Sequence, residues 1–393
     1  MEWKQASKQD DAISIPDSWI HIHYYEALNT LFRLENSLRI FVYIVLKNNF
    51  FDKWCDINIT SDDAEQATIE TIAKKRKNQA QDFGYLGYII NCPMMYLTSG
   101  ELIRIIMDDN YWKYFKPYFP ASKQIIKNKL DEIGIIRNSL AHFRPLKLDD
   151  VEVIKHNAKH ALSGVNHFLE ELGSCFNTVP TNTQDSWYLS LNALSNELCN
   201  LKLTQCKDGT WVELGFKYHS KVISSVTFAP ERKYYSHQIL NLITPSMLEY
   251  YGNITKYCTC LTEGPADADA YNPQKPSLYK LFSILFNRDV LSDHYQDIKN
   301  DIELLLSDMK AETDLIVSDN LARGKLISVA QISARLQQGE KAQWWEINAD
   351  RTLCPDTKGS FPEYWGNAWL LSSMLTTTYK YPWMPIEVSK FDL

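Results

Sequence analysis

Between residues 18 and 48 apolar side chains return at the spacing of one helix face. At about 100° per residue, Leu28, Leu31, Phe32, Leu34, Leu38, Phe41, Val42, Val45 and Leu46 fill one broad arc. Pro16, with Asp17 or Ser18 as cap, sets the start of this helix. Glu35 and Arg39 fall inside the apolar arc, where charged side chains are seldom fully buried without a partner. Acid first and one helical turn apart, these two are placed to pair along the helix.

The same reading predicts a second helix over residues 62–81, then a connector at 91–96 broken by Pro93. A short helix follows at 100–107, capped by Ser99, and the aromatic run 111–119 closes against it. Beyond Pro120 another helix carries Ile125, Ile126, Leu130, Ile133, Ile136 and Leu140 in one arc of about 140°. Arg137 projects into that arc, which is costly unless an anion meets it. The two candidate anions are Glu35 and a substrate phosphate. The alternative for Glu35 is a purely structural pair with Arg39. One amphipathic helix is expected over 149–172, with Val151, Ile154, Ala158, Ala161, Leu162, Val165, Phe168, Leu169 and Leu172 as its core stripe. His156, His160 and His167 lie on its other side and read as a solvated or phosphate-contacting surface.

Residues 173–184, rich in Thr, Asn and Pro, read as a linker, after which the pattern changes. Alternation predicts strands at 199–206, 211–218 and 222–228, turned at Asp208-Gly209 and at His219-Ser220-Lys221 to give a meander. Helices are expected at 239–251, 278–286 and 291–316, with a polar loop at 263–276. From Gln343 onward Trp344, Trp345, Tyr364, Trp365, Trp369, Tyr379, Tyr381 and Trp383 crowd together. They read as a core closing the C-terminus or, more specifically, as a base-stacking platform. The fold class expected is therefore mostly α. An all-α helical bundle over 1–178 is joined to an α+β domain over 185–393 with a short antiparallel sheet.

A chain of 393 residues, 45% hydrophobic and 23% charged, suits two globular domains. No apolar run approaches the roughly 20 residues of a membrane span, and the N-terminus lacks the apolar stretch of a signal peptide. The expectation is a cytoplasmic protein. The eight cysteines show no disulfide spacing. Cys258 and Cys260, with Cys199 and Cys206, have a spacing poorer than that of a zinc site, so reduced thiols, no metal and no cofactor are expected. The net charge of −7 argues against a general nucleic-acid coat. Basic residues nevertheless gather locally, as Lys74, Lys75, Arg76 and Lys77, and as Lys113, Lys116, Lys123, Lys127, Lys129, Arg137, Arg144 and Lys147. Such patches suit a phosphate backbone held at one place; the plainer reading is that they solvate helix faces.

The chemistry-bearing stretch is Arg137-Asn138-Ser139-Leu140-Ala141-His142. A guanidinium can fork onto phosphate oxygens, and an imidazole can move a proton near neutral pH. Preceded by residues 96–119 and 125–136, this order resembles the HEPN family of all-helical ribonuclease domains, whose signature is an arginine and a histidine a few residues apart. The resemblance covers roughly residues 15–175. It implies a HEPN-like bundle, a homodimer with two motif helices facing across a twofold axis, and a metal-independent endoribonuclease. The resemblance also implies a toxin or abortive-infection effector in antiviral defence, with RNA as substrate and an inhibitor or antitoxin as a further partner.

In that reading His142 is general acid or base, Arg137 binds the scissile phosphate, and Asn138 orients His142 or a phosphate oxygen. Glu35 and Arg39 support them, and Lys74, Lys75, Arg76, Lys77, Lys129 and Arg144 hold RNA. One difficulty is geometric. Five residues of ideal helix rotate by about 140°, so His142 shares a face with Arg137 only if the last turn loosens or a second subunit supplies one of the two. The alternatives are a non-catalytic HEPN dimerisation or protein-interaction module, and a metal-dependent hydrolase built on His156, His160 and C-terminal carboxylates.

Overall fold

The computed structural model describes residues 7–9, 12–14, 22–60, 66–82, 90, 92–175, 178–229, 232–241, 245–269, 277–318, 326–340, 342–349, 361–366 and 381–384. The chain is α+β: helices fill its first half, and two four-stranded antiparallel sheets dominate the second. After a small hairpin of β1 (Ser7–Gln9) and β2 (Ala12–Ser14), the long α1 (Ile22–Phe50) begins. The predicted cap at Asp17 or Ser18 lies outside the described residues. A second hairpin, β3 (Asn58–Thr60) with β4 (Gln66–Thr68), leads into α2 (Ile69–Asp82). Then come α3 (Ser99–Met107), the short α4 (Trp112–Phe115), α5 (Lys123–Ala141), α6 (Leu148–Ala161) and α7 (Ser163–Gly173).

α1 is the axis of this half. Its run Ile40-Phe41-Val42-Tyr43-Ile44-Val45-Leu46 is buried on every side, as a helix without a polar face must be. Phe41 meets Phe115, Tyr118, Phe119 and Phe168 edge-on, the geometry that ring quadrupoles favour. The predicted single helix over 149–172 is two helices, α6 and α7, joined at Leu162. A Cβ on Gly164 would lie 2.1 Å from the Tyr118 carbonyl oxygen, so glycine there lets one backbone pass the other. The cap of α3 is Thr98, one residue earlier than expected. Its side chain accepts from the Glu101 amide while Glu101 accepts from the Thr98 amide, a reciprocal capping box.

The second half departs further from the sequence reading. α8 (Ser186–Asn192) precedes β5 (Cys199–Gln205), β6 (Trp211–His219), β7 (Val222–Ala229) and β8 (Arg232–Leu240). α9 (Pro245–Tyr250), α10 (Gly252–Tyr257), β9 (Cys260–Asp269), β10 (Ser277–Asn287), α11 (Arg288–Val317), β11 (Ile327–Gln338) and β12 (Gln343–Ala349) complete it. One sheet runs β5-β6-β10-β9 and the other β12-β11-β8-β7. The meander therefore splits: β6 pairs with β10 and β7 crosses to the second sheet beside β8.

Residues 278–286, expected as helix, are strand. Leu278, Lys280, Phe282, Ile284 and Phe286 alternate inward, and Phe282 stacks on its register partner Phe216 with centroids 4.3 Å apart. The helix expected at 239–251 contains Pro245, which cannot sit in a helix interior. It is instead the end of β8 followed by α9, which opens at that proline. The polar loop expected from 263 is β9. Its register against β10 slips between Lys280 and Phe282, a bulge that accommodates Gly264 and Pro265 within a strand.

Among the described residues, one of the three apolar clusters spans both halves. Trp211, Cys206, Cys260, Leu285, Trp365, Tyr381 and Trp383 join the apolar cluster that surrounds α1. Trp345, Tyr364, Trp365, Tyr381 and Trp383 are buried, as the core reading of the C-terminal aromatics has it, whereas Trp344 is half-exposed. Trp369 and Tyr379 lie outside the described residues. Segment 361–366 lies along β9, with Leu261 donating to the Glu363 carbonyl and Trp365 to that of Leu261, which covers a sheet edge. At this seam Lys47, 2% exposed, meets Glu363 at 2.5 Å and donates to the Thr255 carbonyl at 2.8 Å. Tyr43 donates to the Thr259 carbonyl. Among the described residues no helix is long and apolar enough to cross a membrane.

Candidate functional site on the α1 and α5 helices

α5 packs against α1, α3 and α6, with Ile126, Leu130, Ile136 and Leu140 buried. That packing turns Arg137 towards α1, where its Nε lies 3.6 Å from Glu35 Oε2. Glu35 Oε1 accepts from Arg39, so one carboxylate faces two guanidiniums. The two sequence readings of Glu35, partner of Arg39 and partner of Arg137, hold together. Arg39 also donates to Asn36 Oδ1 at 2.9 Å and to the Leu97 carbonyl at 3.2 Å. Burial pulls the Arg39 guanidinium below its ordinary value, with the Glu35 carboxylate opposing.

The two arginines differ in access. Arg39 is 11% exposed and Arg137 is 35% exposed. Arg137 Nη1 lies 3.4 Å from Asn138 Oδ1, a long contact. Nη2 carries no protein acceptor among the described residues. Beside it Leu34, Leu38, Ile103, Leu130 and Ile133 enclose a cavity of about 30 Å3. That is far below the roughly 300 Å3 of a small-molecule pocket.

His142 is the C-cap of α5 and is exposed. Its amide still donates to the Asn138 carbonyl at 3.1 Å, and α5 is regular to Ala141, so the loosened last turn does not occur before His142. The helix stops immediately after it. Phe143 stands at φ +54°; its amide donates to the Leu140 carbonyl and that of Arg144 to the Ser139 carbonyl. This is a Schellman stop, which normally uses glycine at the left-handed position.

An aromatic residue there costs about 1–2 kcal/mol, and the neighbouring helix end holds it. Tyr24 donates to the Leu140 carbonyl at 2.8 Å, and its ring stacks on Phe143 at 6.4 Å with 5° between planes. Tyr24 and Phe143 were not singled out from the sequence. A phenylalanine between a motif histidine and Pro145 carries no local sign of left-handed backbone.

The basic residues divide. Arg76 is turned inward: it forks onto the fully buried Glu101 at 2.6 and 2.9 Å and donates to the Tyr96 carbonyl. It is a strut between α2 and α3, which corrects its expected place as a phosphate ligand. Lys74 is 70% exposed and pairs with Glu70 along α2, and Lys75 is exposed beside it. Lys77 is half-buried. Lys129 reaches Asn157 Oδ1 at 3.2 Å on α6. Arg144 is exposed just past the Schellman stop. His156 and His160 are exposed neighbours with ring centroids 4.3 Å apart, and no third metal donor joins them among the described residues.

The structure thus brings Glu35, Arg39, Arg137 and Asn138 together and puts His142 one turn on, at the solvent-facing end of the same helix. Compared with known protein families, curated proteins and solved structures, the chain shows no significant match.

Proposed function

We propose that this protein is a metal-independent endoribonuclease with a HEPN-like helical half, acting as a homodimer and serving as a toxin or antiviral effector. The observation that carries the reading is the contrast between Arg39 and Arg137 around one carboxylate. Glu35 orients both, yet only Arg137 keeps a solvent-facing edge for a phosphate. A guanidinium positioned in this way has no reorganisation left to perform when charge builds on phosphorus.

RNA brings its own nucleophile, the ribose 2′-hydroxyl. The protein need only align it with the 5′ leaving oxygen, take one proton, return another and stabilise the phosphorane. His142 is the proton-transfer group, Arg137 binds the scissile phosphate, and Asn138 orients His142 or a phosphate oxygen. The products are a 2′,3′-cyclic phosphate and a 5′-hydroxyl. The regular helix from Arg137 to Ala141 separates the two groups by about 140° around one axis, which favours an arginine and a histidine from opposite subunits. Lys74, Lys75, Lys129 and Arg144 are the remaining phosphate contacts in this reading.

The test is incubation of the purified protein with RNA in a chelator. Defined fragments with cyclic phosphate ends are expected. His142→Ala should lower cleavage by at least about 100-fold, the usual share of a general acid or base, and Arg137→Ala should do likewise. Cleavage unchanged in His142→Ala removes the proposal, and a dimer without cleavage favours the interaction module, in which Arg137 and Glu35 act as core glue.

A further inference from the structure

Phe143 directly follows the proton-transfer histidine of the proposed reaction. It is 81% exposed, the most open large apolar side chain among the described residues. Single exposed apolar residues are ordinary on a protein surface, but this one also holds its backbone at φ +54°. Glycine takes that conformation without steric cost and is the usual residue at such a stop. Burial does not offset the strain, because Phe143 belongs to no apolar cluster among the described residues. A strained backbone beneath an exposed ring points to a function rather than to packing.

The ring is nevertheless fixed. The Phe143 and Arg144 amides donate to the Leu140 and Ser139 carbonyls at 3.0 and 2.9 Å, which sets the backbone at this position. Tyr24, anchored through its hydroxyl on the Leu140 carbonyl, lies parallel to the Phe143 ring with 5° between planes. At a centroid distance of 6.4 Å the two rings are offset rather than superposed, so Phe143 keeps stacking surface open to solvent. A ring held ready in this way loses little freedom when a flat partner settles on it.

The surrounding charges select the partner. Residues 142–148 carry His142, Arg144 and Lys147 and no acidic residue, and all three side chains are exposed. The centre of a protein–protein interface is depleted of charge. An aromatic ring among cations suits a single-stranded nucleic acid instead, whose bases stack while its phosphates meet the cations.

We propose that Phe143 is the stacking platform for an unpaired base next to the scissile phosphate of the RNA. In the ribonuclease reading, on which this assignment rests, His142 acts at that phosphate. Phe143 then fixes the adjoining nucleotide, which helps to hold the 2′-hydroxyl in line. A base inside a duplex has no free face, so the base that stacks here is unpaired. Every base has such a face, and the platform grips the strand with little regard for sequence.

Binding is measured apart from cleavage, in the full chain carrying His142→Ala. The probes are a fluorescent oligoadenylate and an abasic strand of equal length and charge, at one salt concentration. Phe143→Leu in that background keeps an apolar side chain and loses the ring. It should weaken oligoadenylate binding by about 5- to 150-fold, the usual effect of one stacked base, and leave the affinity for the abasic strand unchanged. Phe143→Tyr should bind both strands as the parent does. Circular dichroism and sedimentation follow the fold and oligomeric state of each variant. Equal oligoadenylate affinity in Phe143→Leu and its parent overturns the proposal, as does an equal loss on the abasic strand. So does a Phe143→Leu protein that loses its self-association, which places the ring between copies of the chain, or a parent that binds neither strand. Cleavage by the chain with His142 intact is scored separately. Its absence removes the ribonuclease reading and the scissile phosphate with it, whereas unchanged binding by Phe143→Leu of a cleaving protein removes the stacking role alone.

Discussion

Glu35→Gln keeps the shape of the side chain and removes the one negative charge that two guanidiniums face. Breaking a buried ion pair by deleting one partner costs about 3–5 kcal/mol when the survivor has nowhere to go. Arg39 is 11% exposed and keeps Asn36 Oδ1 and the Leu97 carbonyl as acceptors, which lowers that figure. Arg137, 35% exposed at 3.6 Å, adds only a few tenths of a kcal/mol after solvent screening. The expected loss is about 2–3 kcal/mol, nearly all of it through Arg39. Urea unfolding followed by tryptophan fluorescence measures it, with an unchanged slope confirming that the unfolded state is comparable. Arg39→Met in the same background should recover most of the loss, because the unpaired buried cation is then gone. A Glu35→Gln protein as stable as the parent would refute the account of Glu35 as the shared anchor. So would a loss that Arg39→Met fails to relieve.

Three further outcomes follow from other parts of the fold. Lys47→Met strands Glu363 at the seam between the halves and should cost about 3–5 kcal/mol, most of which Glu363→Leu restores; independent effects of the two changes in a double-mutant cycle would contradict this. Phe143→Gly should be more stable than Phe143→Ala by about 1–2 kcal/mol, because both lose the stack on Tyr24 and only alanine keeps the cost of positive φ; equal unfolding midpoints would show that the helix stop is not strained. Glu213 is buried, and desolvation raises its carboxyl above the ordinary value. Its folded form thus binds protons more readily than the unfolded chain, so its contribution to stability falls as pH rises from the unfolded value through the folded one. Glu213→Gln should therefore stabilise the protein at neutral pH and lose that advantage in acid, as unfolding curves at several pH values would record.

Helical segments were legible where the apolar period was long, although the stripe over 149–172 hid the break at Leu162. α1, α5 and α11 stand close to where the pattern puts them, because a helix face is written in residues three and four apart. The strand β10 was not legible: Leu281 and Leu285 fill the wrong parity for alternation, and Lys280 looks polar until Glu263 from β9 meets it. At the candidate site the sequence alone placed Glu35, Arg39 and Arg137 on packing faces. That followed from local rotation about each helix axis, without any knowledge of what lay opposite.

Only the tertiary structure decided what those faces meet. It set Glu35 between two arginines, turned Arg76 inward to Glu101 and closed the end of α5 with Tyr24 and Phe143. It also carried Cys206 and Asp208 to Glu171. Apart from the local Glu35–Arg39 pair, each of these contacts joins segments far apart along the chain, and their partners are chosen by which buried charge or polar group has no other way to be satisfied. Local periodicity holds no record of that choice.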